Sequence, residues 1–346
     1  MAIDLEALNK KIDEYCDENS IMGVLRVTVK DEVRFEKYIG YSDIQSRLPF
    51  TPDSIFTYYS MSKPFCTIGL MLLWDKGLVD LDAHPSKYLP ECKALDSRLK
   101  ICHLLHHVSG VPDFLQSEEF RSTHTEGPYE KLREHLSIIS GYPMLFAPGT
   151  EDRYTNINFI ISALIIENVS QRPYAEYMKT EVFEPLGMTS TMVDTPELRV
   201  KNRVTGHTLV NGTLTPIKKD YNWMFGGGDL IGTLDDIYCL NKAIKHRLLL
   251  TDAAWDEILT PSPINKMGKG CRITDWHGKF RITHNGGSSG FRTLHIQLPE
   301  DDFDIIFLSN SGFGNARKDL AEMIYDAFYG EESTVGDDVE MDKGYI

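Results

Sequence analysis

The stretch that decides the fold is FTYYSMSKPFCTIGLMLLWDKG, residues 56–77, which reads as the start of a very apolar helix. Pro64 is tolerated only in the first turn of a helix, where its missing N–H has no hydrogen bond to lose. The helix therefore begins close to Ser60. Ser60 and Lys63 are three residues apart in that first turn, so the hydroxyl and the ammonium group lie on one face and can meet.

A serine and a lysine in this arrangement are suited to acyl transfer. A helix N-terminus supplies free backbone N–H groups and the positive end of the helix dipole, which stabilise an alkoxide and an oxyanion. A lysine in an apolar pocket loses its proton more easily and can take one from the serine. For this reason S-x-x-K is a known serine-acylation motif. A second match, Ser97 with Lys100, lacks the proline, and we interpret it as structural.

Length, charge and composition limit the classes of function. The chain has 346 residues, enough for one large domain or two closely packed ones. Its net charge of −15 argues against nucleic acid and acidic membrane surfaces as partners. No segment approaches the roughly 20 apolar residues that cross a bilayer, so we expect no membrane insertion. The N-terminus has no apolar signal core, which predicts a cytoplasmic protein unless an export signal was removed.

Hydrophobic patterns at the two ends of the chain predict one shared sheet. VLRVTVK and VRFEKYIG near the N-terminus alternate apolar and polar residues, as do segments from GCRITDW to DFDIIFLSN near the C-terminus. Helices at about 5–16 and 315–329 are expected to cover this antiparallel sheet. The fold class predicted is α+β.

The middle of the chain is predicted to be mainly helical. NFIISALIIENVS, 158–170, is apolar nearly all round and predicts a buried helix. Thr233 followed by Asp236 predicts the capped start of another helix. GGGDLIG, 226–232, lacks the lysine of a phosphate-binding loop, and we interpret it as close backbone packing beside a pocket. The predicted organisation is a sheet region at 1–55 and 255–330, a helical region at 56–254 with the active site between the two, and an acidic tail at 331–346.

Two further motifs accompany Ser60 and Lys63. Tyr154-Thr155-Asn156 is the only Y-x-N in the chain, and His284-Asn285-Gly286 is the only H-x-G. In this order, the three motifs resemble those of the β-lactamase and penicillin-binding serine hydrolase superfamily. The resemblance is closest to the class C-like branch with its esterase and D-aminopeptidase relatives, and it covers about residues 20–312. Other stretches similar to that family are PFTPDSIFTYYSMSK, YLPE, LLHHVSGVPDF, FAPGT, VFEPLGMTSTM and GGGDLIGT.

The resemblance implies a β-lactamase-like fold and a role for each motif. Ser60 would be the nucleophile that forms an acyl-enzyme. Lys63 and Tyr154 would share the proton transfers, with Tyr154 as a phenolate or as a hydrogen-bonded relay. Asn156 would orient Lys63 and donate to a substrate amide.

The third motif would bind substrate. His284 stands where many β-lactamases have a lysine, and Gly286 closes the motif. The backbone N–H groups of Ser60 and Gly287 would form the oxyanion hole. The lysine of β-lactamases serves to bind a substrate carboxylate, so its replacement by histidine argues against efficient β-lactam hydrolysis.

We therefore expect a serine hydrolase of esters, amides or D-amino-acid peptides, acting on a small molecule or short peptide without cofactor or metal. Two alternatives stay open. One is penicillin binding or β-lactamase activity proper, and the other is a binding or sensing module that is acylated with negligible turnover.

Two rival motifs are interpreted as structural. GGSSG, 286–290, fits the G-x-S-x-G nucleophile elbow with Ser288, but an elbow needs a helix after the turn and FRTLHIQLP alternates like a strand. HLLHH contains His103, His106 and His107 but no glutamate of a zinc motif. Histidines in the last turn of a helix satisfy its free carbonyl groups, which is the role we expect here.

Overall fold

The chain runs through its helices and strands in an order that brings the last strands beside the first ones in a single sheet. The computed structural model describes residues 3–113, 130–195, 197–217, 224–288, 290–311 and 314–330. The strands are β1 (Gly23–Val29), β2 (Glu32–Ile39), β3 (Tyr41–Asp43), β4 (Leu48–Pro49), β5 (Phe56–Thr57), β6 (Met192–Val193), β7 (His207–Val210), β8 (Thr213–Pro216), β9 (Leu230–Gly232), β10 (Arg272–Trp276), β11 (Lys279–Ser288), β12 (Phe291–Leu298) and β13 (Phe303–Ser309).

The helices are α1 (Leu5–Glu18), α2 (Ser62–Asp75), α3 (Ile101–Leu105), α4 (Glu130–Ile139), α5 (Ile157–Ser170), α6 (Tyr174–Met178), α7 (Leu234–Lys245), α8 (Asp252–Leu259) and α9 (Ala316–Tyr329). Short 3₁₀ turns occur at Tyr59–Met61, Pro85–Lys87 and Pro90–Cys92, and a π turn occurs at Lys179–Phe183.

One six-stranded antiparallel sheet contains strands from both ends of the chain, as predicted. Its strand order is β10-β11-β12-β13-β1-β2. β1 lies between β13 and β2, with Val24 opposite Leu308 on one side and opposite Tyr38 on the other. Lys30 and Asp31 connect β1 to β2 with φ angles of 53° and 59°. Positive φ at both central residues is typical of the tight hairpin turns that match strand twist.

Both faces of the sheet are buried, because alternate residues of its strands pack into different cores. On β13, Ile306 and Leu308 join the large core that contains α2 and α5. Ile305 and Phe307 join a second core with α1 and α9. The terminal helices therefore cover one face, and the helical part of the chain covers the other.

The buried helix predicted at 158–170 is α5, whose residues from Ile157 to Ile166 are all buried. It packs against α2. Gly69 lets α2 come close to its neighbours, because a Cβ there would lie 2.6 Å from the sulfur of Met178. This packing fixes the position of α2 and of the residues at its start.

The start of α2 differs from the prediction. Ser60 lies in the 3₁₀ turn before the helix, and Lys63 is the second residue of α2. The predicted capped start at Thr233 is confirmed, since the hydroxyl accepts from Asp236 N and the Asp236 side chain accepts from Thr233 N. The acidic tail, 331–346, lies outside the described residues, and the proposed region boundaries stay a prediction.

Candidate active site

Ser60 is presented by a turn that is held in an unusual backbone conformation. Tyr59, just before it, has a φ of 50°, in the left-handed region that costs a residue with a side chain about 1–3 kcal/mol. Contacts on both sides of the turn hold it there. The hydroxyl of Thr293 on β12 donates to Tyr58 O at 2.9 Å, and the first N–H of β9 donates to Ser62 Oγ at 3.0 Å.

Lys63 is fully buried, and its amino group lies among three oxygen atoms. Nζ is 3.0 Å from Ser60 Oγ, 2.9 Å from Asn156 Oδ1 and 2.6 Å from the carbonyl oxygen of Gly227. Two of these acceptors come from distant parts of the chain and fix the amine beside the hydroxyl. In its neutral form the amine has a lone pair that can accept the Ser60 proton.

Burial sets the protonation of Lys63. Removal from water lowers its pKa to about 7. The charge of Asp113 opposes this lowering, and the Cys66 thiol and the Asp229 carboxyl group oppose it more weakly. A substantial fraction of Lys63 is therefore neutral near pH 7, whereas a solvent-exposed lysine is almost entirely charged.

Tyr154 lies over the same amine. Lys63 Nζ is 4.7 Å from the centre of its ring, and the ring stacks on that of His107 with their centres 4.2 Å apart. Burial raises the pKa of Tyr154 well above its usual value, and a hydrogen bond with Ser60 opposes this only in part. The environment therefore favours the phenol over the phenolate, and of the two roles considered it supports the hydrogen-bonded relay.

His284 brings an uncharged ring to the site. It is buried on β11, and its Nδ1 lies 2.7 Å from the carbonyl oxygen of Asn285. Burial and the nearby Lys63 hold its pKa well below the usual range, so the imidazole is neutral at pH 7. Its ring centre is 6.5 Å from that of Tyr154.

Gly286 allows β11 to pass directly against the turn that carries the serine. A Cβ at this position would lie 2.1 Å from Tyr58 O and 3.1 Å from Ser60 N, so a side chain would push the strand away. The buried Arg317 donates to Gly286 O at 2.7 Å and holds the strand from the other side. Gly287 follows on a part of β11 that β10 does not reach, because their pairing ends at Arg272 and Thr283.

The residues that the rival motifs would use for chemistry have other environments. Ser288 ends β11 and is followed after a turn by β12, so the helix of a nucleophile elbow is absent from this described segment. Lys100 donates to Asp82 at 2.9 Å. The ring nitrogen Nδ1 of His103 accepts from the Lys100 backbone N–H. The residue is thus structural, but it caps the start of α3 and does not satisfy carbonyl groups at the helix end as predicted.

Three contributors were not singled out as site residues from the sequence. His107 supports the Tyr154 ring, Gly227 supplies a carbonyl acceptor to Lys63, and Asp113 accepts from Asn156 N at 2.8 Å. The glycine-rich segment was a usable signal, since we interpreted it as backbone packed beside a pocket. His107 and Asp113 both lie in LLHHVSGVPDF, which is similar to the family, but nothing in that stretch alone indicates contact with the Y-x-N motif.

Comparison with known proteins identifies the family of the chain. A family model described as Beta-lactamase matches residues 8–327. The chain belongs to the beta-lactamase family. This membership confirms the predicted resemblance to the β-lactamase superfamily and, with the observed architecture, the predicted fold class.

The curated relatives that the chain matches have names of different kinds. Penicillin-binding protein 4* of Bacillus subtilis (strain 168) is 25% identical over 317 residues, which cover 85% of this chain and 69% of that protein. The D-aminopeptidase of Gluconobacter oxydans (strain 621H) is 25% identical over 295 residues, covering 83% and 55%. The chain thus spans between about half and two thirds of the length of these relatives.

Among solved structures, EstCE1, described as a hydrolase with promiscuous acyltransferase activity, superposes with a TM-score of 0.80 at 22% identity. The match covers 94% of this chain and 98% of that one. It shows that the two proteins share the fold. Among the residues described here, no helix is both long and apolar enough to cross a membrane.

Proposed function

We propose that this member of the beta-lactamase family hydrolyses esters, small amides or D-amino-acid peptides through an acyl-enzyme on Ser60. The observation that carries the proposal is the contact of 3.0 Å between Ser60 Oγ and the amine of Lys63. That amine is fully buried, with a pKa lowered to about 7. A nucleophile needs such a base beside it, because a serine hydroxyl is a weak nucleophile when protonated.

The proposed reaction has two similar halves. Neutral Lys63 accepts the Ser60 proton while Oγ bonds to the substrate carbonyl carbon, and the N–H groups of Ser60 and Gly287 stabilise the oxyanion. The proton then passes through the Tyr154 hydroxyl to the departing alcohol or amine, whose bond to the carbonyl carbon breaks. Water attacks the acyl-serine by the same steps in reverse order, releasing the acid and restoring Ser60.

The neutral His284 supports the choice of substrate class. A fixed cation at this position stabilises a substrate carboxylate. A neutral ring does not, but a neutral ester or amide has no carboxylate and so loses little binding when the cation is replaced. D-aminopeptidase activity is the named function of one relative, and hydrolase activity with promiscuous acyl transfer is that of one structural neighbour. Both are compatible with an acyl group carried on a serine.

Substrate preference provides the test. We expect kcat/KM for a short-chain p-nitrophenyl ester or a D-amino-acid amide to exceed that for nitrocefin by at least about 10²-fold. This ratio corresponds to roughly 2.7 kcal/mol in the transition state. His284→Lys should narrow the ratio by improving the carboxylate-bearing substrate. Equal efficiencies in the wild type would instead identify a β-lactamase, and a single burst of product without turnover would identify an acylated sensor.

The pH dependence follows from Lys63. Its folded-state pKa is about 7, so the amine is protonated and unable to accept a proton below that pH, and free to do so above it. We expect kcat/KM for a neutral ester to rise with pH through an apparent pKa near 7. His284 stays neutral over the pH range in which Lys63 titrates, because burial holds the pKa of His284 well below its usual value. A flat profile between about pH 5.5 and 8.5, with the fold intact by tryptophan fluorescence, would contradict Lys63 as the base.

A further inference from the structure

The carbonyl oxygen of Gly286 is hydrogen-bonded to a buried cation. Arg317 Nη1 donates to it at 2.7 Å. The same nitrogen donates at 3.4 Å to the carbonyl oxygen of Thr293, the residue directly opposite Gly286 on β12. One nitrogen of the guanidinium group thus contacts both strands at the point where β11 passes the turn that carries Ser60.

Arg317 is placed for this contact by α9, which covers the face of the sheet opposite to α2 and α5. It is the second residue of that helix and is only 6% exposed. A guanidinium group keeps its positive charge in proteins, and a hydrogen bond from a charged donor is about twice as strong as a neutral one. The effective dielectric constant of the interior is low, so this charge acts on the Gly286 carbonyl group more strongly than it would in water.

The carbonyl group of Gly286 and the N–H group of Gly287 belong to one peptide unit. The peptide bond is trans, so the C=O and the N–H point in opposite directions in a plane that resonance makes rigid. Because Nη1 of Arg317 also reaches β12, the C=O is directed toward β12. The N–H is therefore directed toward the other edge of β11, on the part of that strand that β10 does not reach.

We propose that Arg317 is a positioning residue for the oxyanion hole, which holds and polarises the Gly286–Gly287 peptide so that Gly287 N–H is a stronger donor to the reacting carbonyl oxygen. Hydrogen bonds that share a polarisable group strengthen one another, by about 10–30% per bond. The resulting chain of hydrogen bonds leads from a fixed cation, through the peptide, to the atom on which negative charge develops. The catalytic part of this proposal rests on the proposed function, whereas polarisation of the peptide does not.

The contacts of Arg317 also link the two donors of the hole. A Cβ on Gly286 would lie 3.1 Å from Ser60 N, so β11 touches the turn whose N–H is the other donor. Thr293, the second residue that Arg317 contacts, donates through its hydroxyl to Tyr58 O in that turn at 2.9 Å. One preorganised donor of an oxyanion hole contributes about 10²- to 10³-fold to kcat. Loss of the polarising charge, with the donor itself retained, should cost only a part of this factor.

Nuclear magnetic resonance of the full chain tests the polarisation without any substrate. Glycine labelled with ¹³C at the carbonyl and with ¹⁵N gives a signal joining the two labels only at Gly–Gly bonds, which occur at 226–227, 227–228 and 286–287. Gly287→Ala removes the last signal and so identifies it. Polarisation draws electron density from the peptide nitrogen, so we expect Arg317→Gln to move the Gly287 ¹⁵N signal to lower frequency. Lys318→Gln, which removes the neighbouring half-buried cation of α9, should leave it in place.

Kinetics with an ester and the corresponding thionoester separate this role from a merely structural one. Sulfur is a weak hydrogen-bond acceptor, so a C=S group gains less than a C=O group from the oxyanion hole. We expect Arg317→Gln to lower kcat/KM about tenfold for 4-nitrophenyl acetate but less than about threefold for O-(4-nitrophenyl) thioacetate, and Lys318→Gln to change neither. Equal losses for the two substrates would show a structural role and overturn the proposal, as would an unchanged Gly287 signal in Arg317→Gln.

Arg317 is buried, so its variants are first checked by thermal unfolding. If Arg317→Gln does not fold, Arg317→Lys decides, because lysine keeps the charge at the end of a shorter side chain without the planar fork of arginine. We then expect an intermediate shift of the Gly287 signal and an intermediate loss of ester hydrolysis, and no change in either would overturn the proposal. Failure of the proposed function would appear separately, as undiminished ester hydrolysis by Ser60→Ala while the Gly287 signal still responds to substitution of Arg317.

Discussion

Ser60→Ala is expected to lower kcat/KM for the best ester by at least about 10⁴-fold and to abolish covalent labelling. Loss of the nucleophile removes the acyl-enzyme route, and single removals in serine hydrolases of other folds cost about 10⁴- to 10⁶-fold. The fold should persist, because the substitution deletes one oxygen from a turn that is held by Tyr58 O and Ser62 Oγ.

Intact-mass spectrometry after treatment with a fluorophosphonate checks this result. The wild type should gain one adduct, on the peptide that contains Ser60, and the variant should gain none. Ser97→Ala is the matched control, since Ser97 is the exposed serine of the second S-x-x-K match and should leave labelling and activity unchanged. An adduct on Ser288 or Ser97, or full activity of Ser60→Ala, would refute the assignment.

Lys63→Met should lower kcat by about 10² to 10⁴, the usual contribution of a general base. Methionine has a similar length and is apolar, so it suits a site that is fully buried. Lys100→Met, from the second motif, is the same substitution at an exposed position and removes only a pair with Asp82. It should retain full activity, and thermal unfolding of both variants separates loss of catalysis from loss of fold.

Tyr154→Phe belongs to the same experiment. The substitution keeps the ring that contacts Lys63 and His107 but deletes the hydroxyl that bonds to Ser60. Most turnover should therefore be lost. A decrease of less than about threefold would show that Tyr154 serves in packing alone.

The architecture followed from the sequence because its signals are local and repeated. Alternation at both chain ends predicts strands, and an apolar run such as 158–170 predicts a buried helix whatever it touches. The contact between Ser60 and Lys63 is also local, since their positions in the chain differ by only three. These features needed no knowledge of how distant segments meet.

The rest of the site depends on tertiary contacts that no local pattern records. The amine of Lys63 lies against the carbonyl oxygen of Gly227, 164 residues away. Every residue has a backbone carbonyl group, so the residue type does not indicate which one makes this contact. The burial of Arg281, of which 3% is exposed, was likewise hidden, because an arginine in a strand ordinarily predicts solvent exposure. Its burial follows from the covering helix at the far end of the chain.

The position of β1 between β2 and β13 has a consequence for biosynthesis. Val24 pairs with Leu308, so the central part of the sheet joins one segment to another that is translated much later. Contacts this distant in sequence form late and slow the folding of a domain. Ser60 and Lys63 leave the ribosome long before the strand that carries Gly286, so a nascent chain holds its nucleophile without the rest of the site. Until β13 emerges, one edge of β1 stays unpaired and open to association with other chains.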